Sequence, residues 1–371
     1  IANYNNREVY FSHMKFIHTG DIHYGMKPDS NRPWGKERAD AVKSSLQKII
    51  DVAKKKEVDL LLIAGDLFHS QPFSRDLKEV NFLFSTIPDT KVVIIAGNHD
   101  CLRENNNILS FPWAKNVVYL STPTISSVYF QDINTEIYGF SYHDREVKEN
   151  IVSGLSIREN DRVKILLLHG GDATHLPFDK NELNKISSSY IALGHMHKPE
   201  VLFDRHMAYC GSPEPLDMTE TGDHGIFYGE IDNNTRVMKD FEFIKISNTS
   251  YISLTINVTP ETTNAELHTS LTETINIKGK QNIYRFKIKG LRDPDIEFDL
   301  DSLSSTLRIA EIIDDSEPKY DFAKLFAEHP SDMIGFFIRE LDRPNMSKLD
   351  KKALYYGINA LLRTTDERGK T

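Results

Sequence analysis

Residues 92–101 read VVIIAGNHDC, an apolar run that ends in Gly97 followed by Asn98, His99 and Asp100. A short, continuous apolar run is typical of a strand that is buried on both faces of a sheet. In α/β proteins, ligands bind at the carboxyl ends of such strands. A single polar tip would be compatible with a simple turn, but this chain repeats the arrangement.

Four further apolar runs end in the same kind of tip. The tips are GDIH (Asp21, His23), GDLFH (Asp66, His69), LLLHGG (His169) and LGHMH (His195, His197). Because the carboxyl ends of parallel strands meet at one edge, loops that are distant in sequence can come together there. We therefore expect the five tips to form one site.

The segments between the tips have helical patterns. GKERADAVKSSLQKIIDVAKKK and SRDLKEVNFLFSTI are predicted to be helices, and VYFQDINTEIYGF and HGIFYGEIDNNTRVMKDFEFIKI to be hairpins. Buried strands that alternate with helices indicate an α/β fold, and the hairpins indicate that its sheets are mixed.

The length of 371 residues predicts more than one domain. Residues 1–13 are expected to be an N-terminal extension, and 14–246 an α/β domain. The texture then changes to a strand–helix–strand pattern, which predicts a small α+β domain over 247–317. Residues 318–371 are predicted to be C-terminal helices.

Composition narrows the class of protein. No apolar run approaches the length of a membrane span, so we expect no membrane partner. Two cysteines in a chain of this length argue against a disulfide scaffold and favour a cytoplasmic location. The net charge of −9 is unusual for a protein that binds nucleic acid by itself, so DNA contact would require local basic patches, metal ions or a partner.

Histidine, carboxylate and amide side chains at the tips fit a centre of two divalent metal ions. Imidazole and carboxylate together suit Mn²⁺, Fe²⁺ or Zn²⁺, and we expect Mn²⁺. A carboxylate has two oxygens and can bridge two ions, which can then activate water and hold a phosphate. Each tip alone is weak, but five in one chain are hard to explain as solvated loops.

The order of these tips resembles that of the calcineurin-like metallophosphoesterase superfamily over residues 14 to about 245. The resemblance implies a four-layer α-β-β-α sandwich and a complete set of metal ligands. One ion would be held by Asp21, His23, Asp66 and His197, and the second by Asp66, Asn98, His169 and His195, with Asp66 bridging. It also implies that His99 is the general acid or stabilises the transition state, and that Asp100 orients it.

Two motifs resemble one family within that superfamily, the SbcD-type nucleases of DNA double-strand-break repair. HTGDIHYGM and AGDLFHS carry this resemblance, and the latter has His69 where protein phosphatases have aspartate. The resemblance implies exonuclease and endonuclease activity on DNA ends, an SMC-like (SbcC-type) ATPase as partner, and possible homodimers. It gives His69 a role in positioning the DNA backbone, whereas a capping or core histidine is the plain alternative.

The second domain lies where that family has a DNA-capping domain. Within KGKQNIYRFKIKG (278–290), the candidate phosphate contacts are Lys278, Lys280, Arg285, Lys287 and Lys289, although an ordinary charged strand face is equally compatible. The apolar stripe of the C-terminal helices is either core or the ATPase-binding surface. It consists of Phe322, Leu325, Phe326, Met333, Phe336, Phe337 and Leu341.

Two alternatives to a DNA nuclease stay open. A small-molecule or nucleotide phosphodiesterase with the same dinuclear centre would agree with the acidic net charge. A non-catalytic scaffold is disfavoured because the ligand set is complete.

Overall fold

The computed structural model describes residues 12–104 and 106–368, so the predicted extension over residues 1–13 lies almost wholly outside the described chain. Two compact units divide it, and the first ends at Tyr251. The roles assigned above to residues 14–246, 247–317 and 318–371 stay predictions.

The first unit alternates strands and helices. Its elements, numbered in chain order, are β1 (His13–Thr19), α1 (Gly35–Lys56), β2 (Leu60–Ala64), α2 (Ser74–Ser85), β3 (Lys91–Ile95), α3 (Asn107–Ser110), β4 (Val117–Tyr119), β5 (Ser126–Phe130), β6 (Thr135–Gly139), β7 (Val163–His169), α4 (Lys180–Leu183), β8 (Tyr190–Gly194), β9 (Glu200–Leu202), β10 (Met207–Tyr209), β11 (Gly225–Asp232) and β12 (Met238–Lys245).

Two six-stranded mixed sheets form the centre of this unit. Their strand orders are β12-β11-β1-β2-β3-β4 and β5-β6-β7-β8-β10-β9. Strands β1 to β4 run parallel, as do β6, β7 and β8. The polar tips after these parallel strands therefore point toward one edge of each sheet.

A buried apolar layer joins the two sheets. Phe16, Leu62 and Ile95 of the first sheet pack in one cluster with Ile165 and Ala192 of the second. The continuous apolar runs of the sequence are explained by this arrangement, because each central strand is buried on both faces.

Helices cover the outer faces. Helices α1 and α2 pack on the first sheet through a second buried cluster, whereas the second sheet is covered by the single turn of α4 and by neighbouring loops. The predicted four-layer α-β-β-α class is confirmed, with a thin fourth layer. The two predicted hairpins are β5–β6 and β11–β12.

A buried ion pair fastens α1 to the segment before β11. The Arg38 guanidinium donates to Glu214 Oε2 at 3.0 Å and also to the Pro215 carbonyl, and both charged side chains are fully buried. Lys48 Nζ lies 3.4 Å from Glu214 Oε1. This cluster holds the chain in place just after the last of the polar tips.

The second unit is a small α+β sheet followed by helices. Its elements are β13 (Tyr251–Val258), α5 (Asn264–Lys278), β14 (Ile283–Arg292), α6 (Leu300–Thr306), β15 (Ile309–Asp314), β16 (Glu317–Pro318), α7 (Phe322–Glu328), α8 (Met333–Leu341) and α9 (Lys348–Arg368). Leu267 and Leu271 of α5 pack against Phe286 of β14 in its core.

The apolar stripe of the C-terminal helices is divided between core and surface. Ile334, Ile338, Leu354 and Ile358 form a buried cluster between α8 and α9. Of the predicted stripe, the side chains packed against this cluster are Phe322, Leu325, Phe337 and Leu341, whereas those largely exposed are Phe326, Met333 and Phe336. Among the described residues, none of the helices has both the length and the apolar character needed to cross a membrane.

Candidate metal centre

The polar tips of both sheets meet at one edge of the sandwich. Asp21 and His23 follow β1, Asp66 follows β2, and Asn98 follows β3. From the second sheet, His169 ends β7, whereas His195 and His197 follow β8. The first sheet thus supplies four of the predicted ligands and the second sheet supplies three.

The backbone of the tips is bent in a way that side-chain-bearing residues seldom adopt. Asp21, His23 and Asp66 have φ of 48°, and His195 has φ of 90°. Such left-handed conformations cost about 1–3 kcal/mol each and concentrate at functional sites. At Gly97 the constraint is close approach, since a Cβ there would overlap the Asp66 carboxylate.

One group of predicted ligands converges around His23. Its Nε2 atom lies 3.2 Å from Nε2 of His197 and 3.7 Å from Oδ2 of Asp66. A carboxylate oxygen of Asp21 lies within 4.8 Å of nitrogen atoms of both histidines. These are the four side chains expected for one ion.

The second group converges around Asn98. Its Oδ1 atom lies 2.9 Å from His169 Nε2 and 3.3 Å from His195 Nδ1. Oδ2 of Asp66 is 3.5 Å from His169 Nε2. The same Asp66 oxygen therefore faces both groups, as a bridging carboxylate would.

These separations fit divalent ions. Ligand atoms about 2.1 Å from an ion are about 3.0–3.4 Å apart in octahedral or tetrahedral geometry. The measured separations, from 2.9 to 3.7 Å, agree with this range. Nitrogen and oxygen donors in this mixture suit a dinuclear centre of mid-series divalent metals.

Hydrogen bonds fix which nitrogen of each histidine is free to bind metal. His169 Nδ1–H donates to the Ala64 carbonyl at 2.9 Å, which leaves Nε2. His195 Nε2 lies 2.7 Å from Asp172 Oδ2, which leaves Nδ1. His197 Nδ1 lies 2.6 Å from Glu220 Oε1, which leaves Nε2. Such outer partners orient metal-binding imidazoles in proteins.

Asp172 and Glu220 were not predicted from the sequence. Asp172 lies in HGGDATH, three residues after a predicted ligand, so its proximity could have been noticed. Glu220 lies in a loop that has no motif, and its carboxylate also accepts from Ser212 Oγ and Leu216 N. His175 was also missed, and its Nδ1 lies 2.8 Å from Asp172 Oδ2.

Burial shapes the charges of the cluster. It raises the pKa of Asp66 to about 6 and lowers the pKa of His23 and His169 well below the ordinary value. For His197, burial lowers the pKa, but the hydrogen bond to Glu220 and nearby carboxylates outweigh it and raise the pKa to about 9. Neutral imidazoles are the form that binds metal, so the cluster favours bound cations.

His99 and His69 form a pair beside the ligands. The His99 side chain is exposed, its Nδ1–H donates to the His69 carbonyl at 3.0 Å, and the two rings stack with centroids 5.2 Å apart. The backbone N–H of His99 donates to Asp66 Oδ1 at 2.9 Å. The His99 ring is thus held next to the predicted bridging carboxylate, with Nε2 directed away from the carbonyl.

Asp100 acts on this loop rather than on the His99 ring. Its buried carboxylate accepts from Gly97 N at 2.8 Å and Phe68 N at 3.2 Å. The ring of His99 is oriented by the His69 carbonyl instead. Asp100 therefore positions the loop that carries Asn98 and His99, which differs from the expected direct contact.

The predicted DNA-contacting residues lie in the second unit. Arg285, Lys287 and Lys289 alternate along β14 with buried Phe286 and Ile288. Two of the three have acidic partners, since Arg285 Nε is 2.5 Å from Glu311 and Lys287 Nζ is 2.6 Å from Asp315. Lys278 ends α5, and Lys280 lies in the turn after it.

Comparisons with known proteins follow the same lines. The family described as calcineurin-like phosphoesterase matches residues 14–199. The metallophosphoesterase YhaO of Bacillus subtilis, itself uncharacterised, is 31% identical over 59% of this chain and 58% of its own length. This chain therefore spans less than two thirds of that relative.

Two relatives have names that state a role. The DNA double-strand break repair protein Mre11 of Methanocaldococcus jannaschii is 29% identical over 66% of this chain and 69% of its own length. The SbcD subunit of the SbcCD nuclease of Staphylococcus epidermidis is 22% identical over 94% of this chain and 99% of its own length.

Proposed function

This chain belongs to the calcineurin-like phosphoesterase family, and we propose that it is a two-metal-dependent phosphodiesterase that cuts DNA. It would act as an exonuclease on double-stranded ends and as an endonuclease, in double-strand-break repair. The observation that carries the proposal is the convergence of both ligand groups on Asp66, with exposed His99 beside them. DNA as the substrate is supported by the names of the archaeal and staphylococcal relatives.

The reaction needs a phosphate held in place and a proton for the departing oxygen. A protonated His99 would keep Nδ1–H on the His69 carbonyl and present Nε2–H to the leaving group. Its backbone bond to Asp66 fixes its position relative to the ligands. The stacked ring of His69 would limit the orientations of His99 and contact the DNA backbone.

Metal ions would supply the remaining chemistry. When bound, two divalent ions would activate a water molecule and neutralise the phosphate oxygens. Mn²⁺ is the proposed metal, because the ligands combine imidazole nitrogen with carboxylate and amide oxygen, and Fe²⁺ or Zn²⁺ suit the same atoms. Asp172 and Glu220 would keep His195 and His197 in the tautomers that bind.

The second unit would contact DNA and a partner. Because Arg285 and Lys287 are engaged with acids, phosphate contact would rest mainly on Lys278, Lys280 and Lys289. The partner would be an SMC-like ATPase, as the name of the staphylococcal relative, which belongs to a larger nuclease, suggests.

The ATPase would bind the exposed part of the C-terminal stripe, at Phe326, Met333 and Phe336. A homodimer is also proposed, and sedimentation velocity of the purified chain would test it. Two buried, unpaired cysteines, Cys101 and Cys210, are compatible with a reducing cytoplasm.

A second candidate function is hydrolysis of a small diester or nucleotide at the same centre. The net charge of −9 favours it, and so does the partial neutralisation of the β14 cations. A duplex would be repelled by such a chain unless ions or a partner offset the charge.

One experiment separates the two functions. We would measure Mn²⁺-dependent cleavage of a blunt linear duplex by the full chain, with bis-p-nitrophenyl phosphate as a small diester in parallel. His99→Ala is the variant, and it should lose duplex cleavage while keeping both ions. A matched control is His206→Ala, because His206 lies away from the tips and contacts Asn184 and Ser188.

The outcomes have distinct meanings. Duplex cleavage that disappears in His99→Ala supports the nuclease. Turnover of the diester without duplex cleavage, also after addition of a candidate ATPase, supports the second function and contradicts the first. Absence of both reactions in a Mn²⁺-loaded chain would contradict both.

A further inference from the structure

A small polar cavity lies at the opposite end of the second sheet from the metal centre. It encloses about 280 Å³ and is lined by three cations, Arg162, Lys164 and Arg236, and by the consecutive serines Ser187, Ser188 and Ser189. Lys164 is the second residue of β7, and the predicted ligand His169 is the last. At about 3.3 Å per residue, the cavity is about 16 Å from the ligands along this strand.

Lys164 is the unusual member of this lining. Its side chain is 5% exposed, and its ammonium group makes no hydrogen bond or ion pair with any residue in the described chain. Its parallel neighbour in β6, Glu136, accepts instead from Ser127 Oγ at 3.1 Å and from Arg162 at 2.9 Å. A buried lysine without a counter-charge is costly unless an anion reaches it.

The other charges leave Lys164 uncompensated. Arg162 is held by Glu136 and lies over the Tyr129 ring, with Cζ 3.7 Å from the ring centroid. Arg236 pairs with Asp161 at 3.5 Å, and the side chain of that aspartate is fully exposed. Glu159, the one acid among the lining residues, is exposed to solvent.

The serine loop adds hydrogen-bond donors. Ser189 Oγ accepts from Lys164 N at 3.4 Å, which leaves its own proton free to donate. Ser188 Oγ is already within reach of the Ile186 carbonyl and His206 Nε2, whereas Ser187 is exposed. Cations beside hydroxyl donors match an anion with several oxygens, and Arg guanidinium suits phosphate in particular.

We propose that this cavity binds a phosphate group, either as inorganic phosphate or as the 5′-phosphate of a nucleotide. Lys164 would contribute the unpaired charge, Arg162 and Arg236 would flank the oxygens, and Ser187 and Ser189 would donate hydrogen bonds. The site is separate from the metal centre and does not depend on the function proposed for that centre.

Calorimetric titration of the full chain, freed of metal by chelation and dialysis, tests the site without using the metal centre. Inorganic phosphate should bind saturably with one equivalent. Lys164→Met keeps the length of the side chain but removes the charge, and it should weaken binding at least tenfold. Lys185→Met removes an exposed lysine outside the cavity lining and should bind phosphate as the unmodified chain does.

Two further measurements keep a structural effect of Lys164 separate from binding. Arg236→Gln changes a side chain that is 40% exposed, so the fold should be retained and binding should weaken severalfold. Without phosphate, Lys164→Met should melt at the same or a higher temperature, because an unpaired buried charge is gone. In excess phosphate the order of melting temperatures should reverse.

Deoxyadenosine 5′-monophosphate in a parallel titration identifies the source of the phosphate. Binding much tighter than that of the free ion points to a nucleotide, and equal or weaker binding points to inorganic phosphate. The proposal is overturned if the metal-free chain binds neither ligand saturably. It is equally overturned if Lys164→Met and Arg236→Gln both bind as the unmodified chain does.

Discussion

Replacement of Asp172 by asparagine should weaken one of the two metal sites through His195. Oδ1 of Asp172 accepts from the backbone N–H groups of Thr174 and His175 at 2.7 and 2.9 Å. In Asp172→Asn the amide oxygen would stay on these donors, so the NH₂ group would take the place of Oδ2. That group can only donate, so His195 Nε2 would have to accept, and the ring proton would move to Nδ1.

A protonated Nδ1 cannot bind metal, and Nδ1 is the atom that faces Asn98 Oδ1 at 3.3 Å. Loss of an outer partner of a metal-binding histidine typically weakens binding 10- to 100-fold. We therefore expect a loss of about 1.4–2.7 kcal/mol in the affinity of the second ion. The first ion should be affected less, because its ligands do not contact Asp172.

Mn²⁺ titration of the metal-free chain, followed by the electron paramagnetic resonance signal of free Mn²⁺, measures both sites. Asp179→Asn is the matched control, because Asp179 also accepts two backbone N–H groups, those of Asn181 and Glu182, and contacts none of the ligands. If Asp172→Asn binds two equivalents as tightly as the control, then Asp172 does not set the tautomer of His195. Equal weakening in both variants would show a general effect of the amide instead.

Three other changes should have measurable effects. Arg38→Met should lower the free energy of unfolding by about 3 kcal/mol in urea denaturation, because it leaves Glu214 buried with only Lys48 as partner; an unchanged midpoint would contradict this. Gly97→Ala should reduce Mn²⁺ affinity more than tenfold in the same titration, since its methyl group would displace the Asp66 carboxylate. The folded pKa of Asp66, raised to about 6 by burial, means that the metal-free fold loses stability as pH rises from about 4 to 6. Because ions require the carboxylate, the increase in melting temperature caused by Mn²⁺ should be small below pH 5 and grow above pH 6; a constant increase would contradict the assignment.

The sequence predicted those features that depend on neighbours along the chain. Each polar tip is directly continuous with an apolar strand, so its position at a strand end follows from local pattern. The hairpin turns also follow from local signals, as at Asn134, where φ is 47°. The two-sheet arrangement was implied by resemblance rather than by periodicity, because buried strands in one sheet and in two sheets have the same pattern.

Features that depend on pairing across the chain were not predicted. Glu220 reaches His197 only because a loop folds back onto the tip. The charge of Arg285 is balanced because β14 and β15 pair in a register that places it opposite Glu311. A basic stripe in the sequence therefore overstates the positive surface, since sequence spacing contains no information about the facing strand.

The division of ligands between the sheets couples metal binding to the sandwich itself. The first sheet supplies Asp21, His23, Asp66 and Asn98, and the second supplies His169, His195 and His197. Each ion of the proposed centre would therefore be held by residues from both sheets, across the same apolar layer that contains Phe16 and Ile165. Binding to the folded state alone raises stability by mass action, so here the ions would act as cross-links between the sheets. Substitutions that loosen this layer, although remote from the tips, should then weaken metal binding as well as stability.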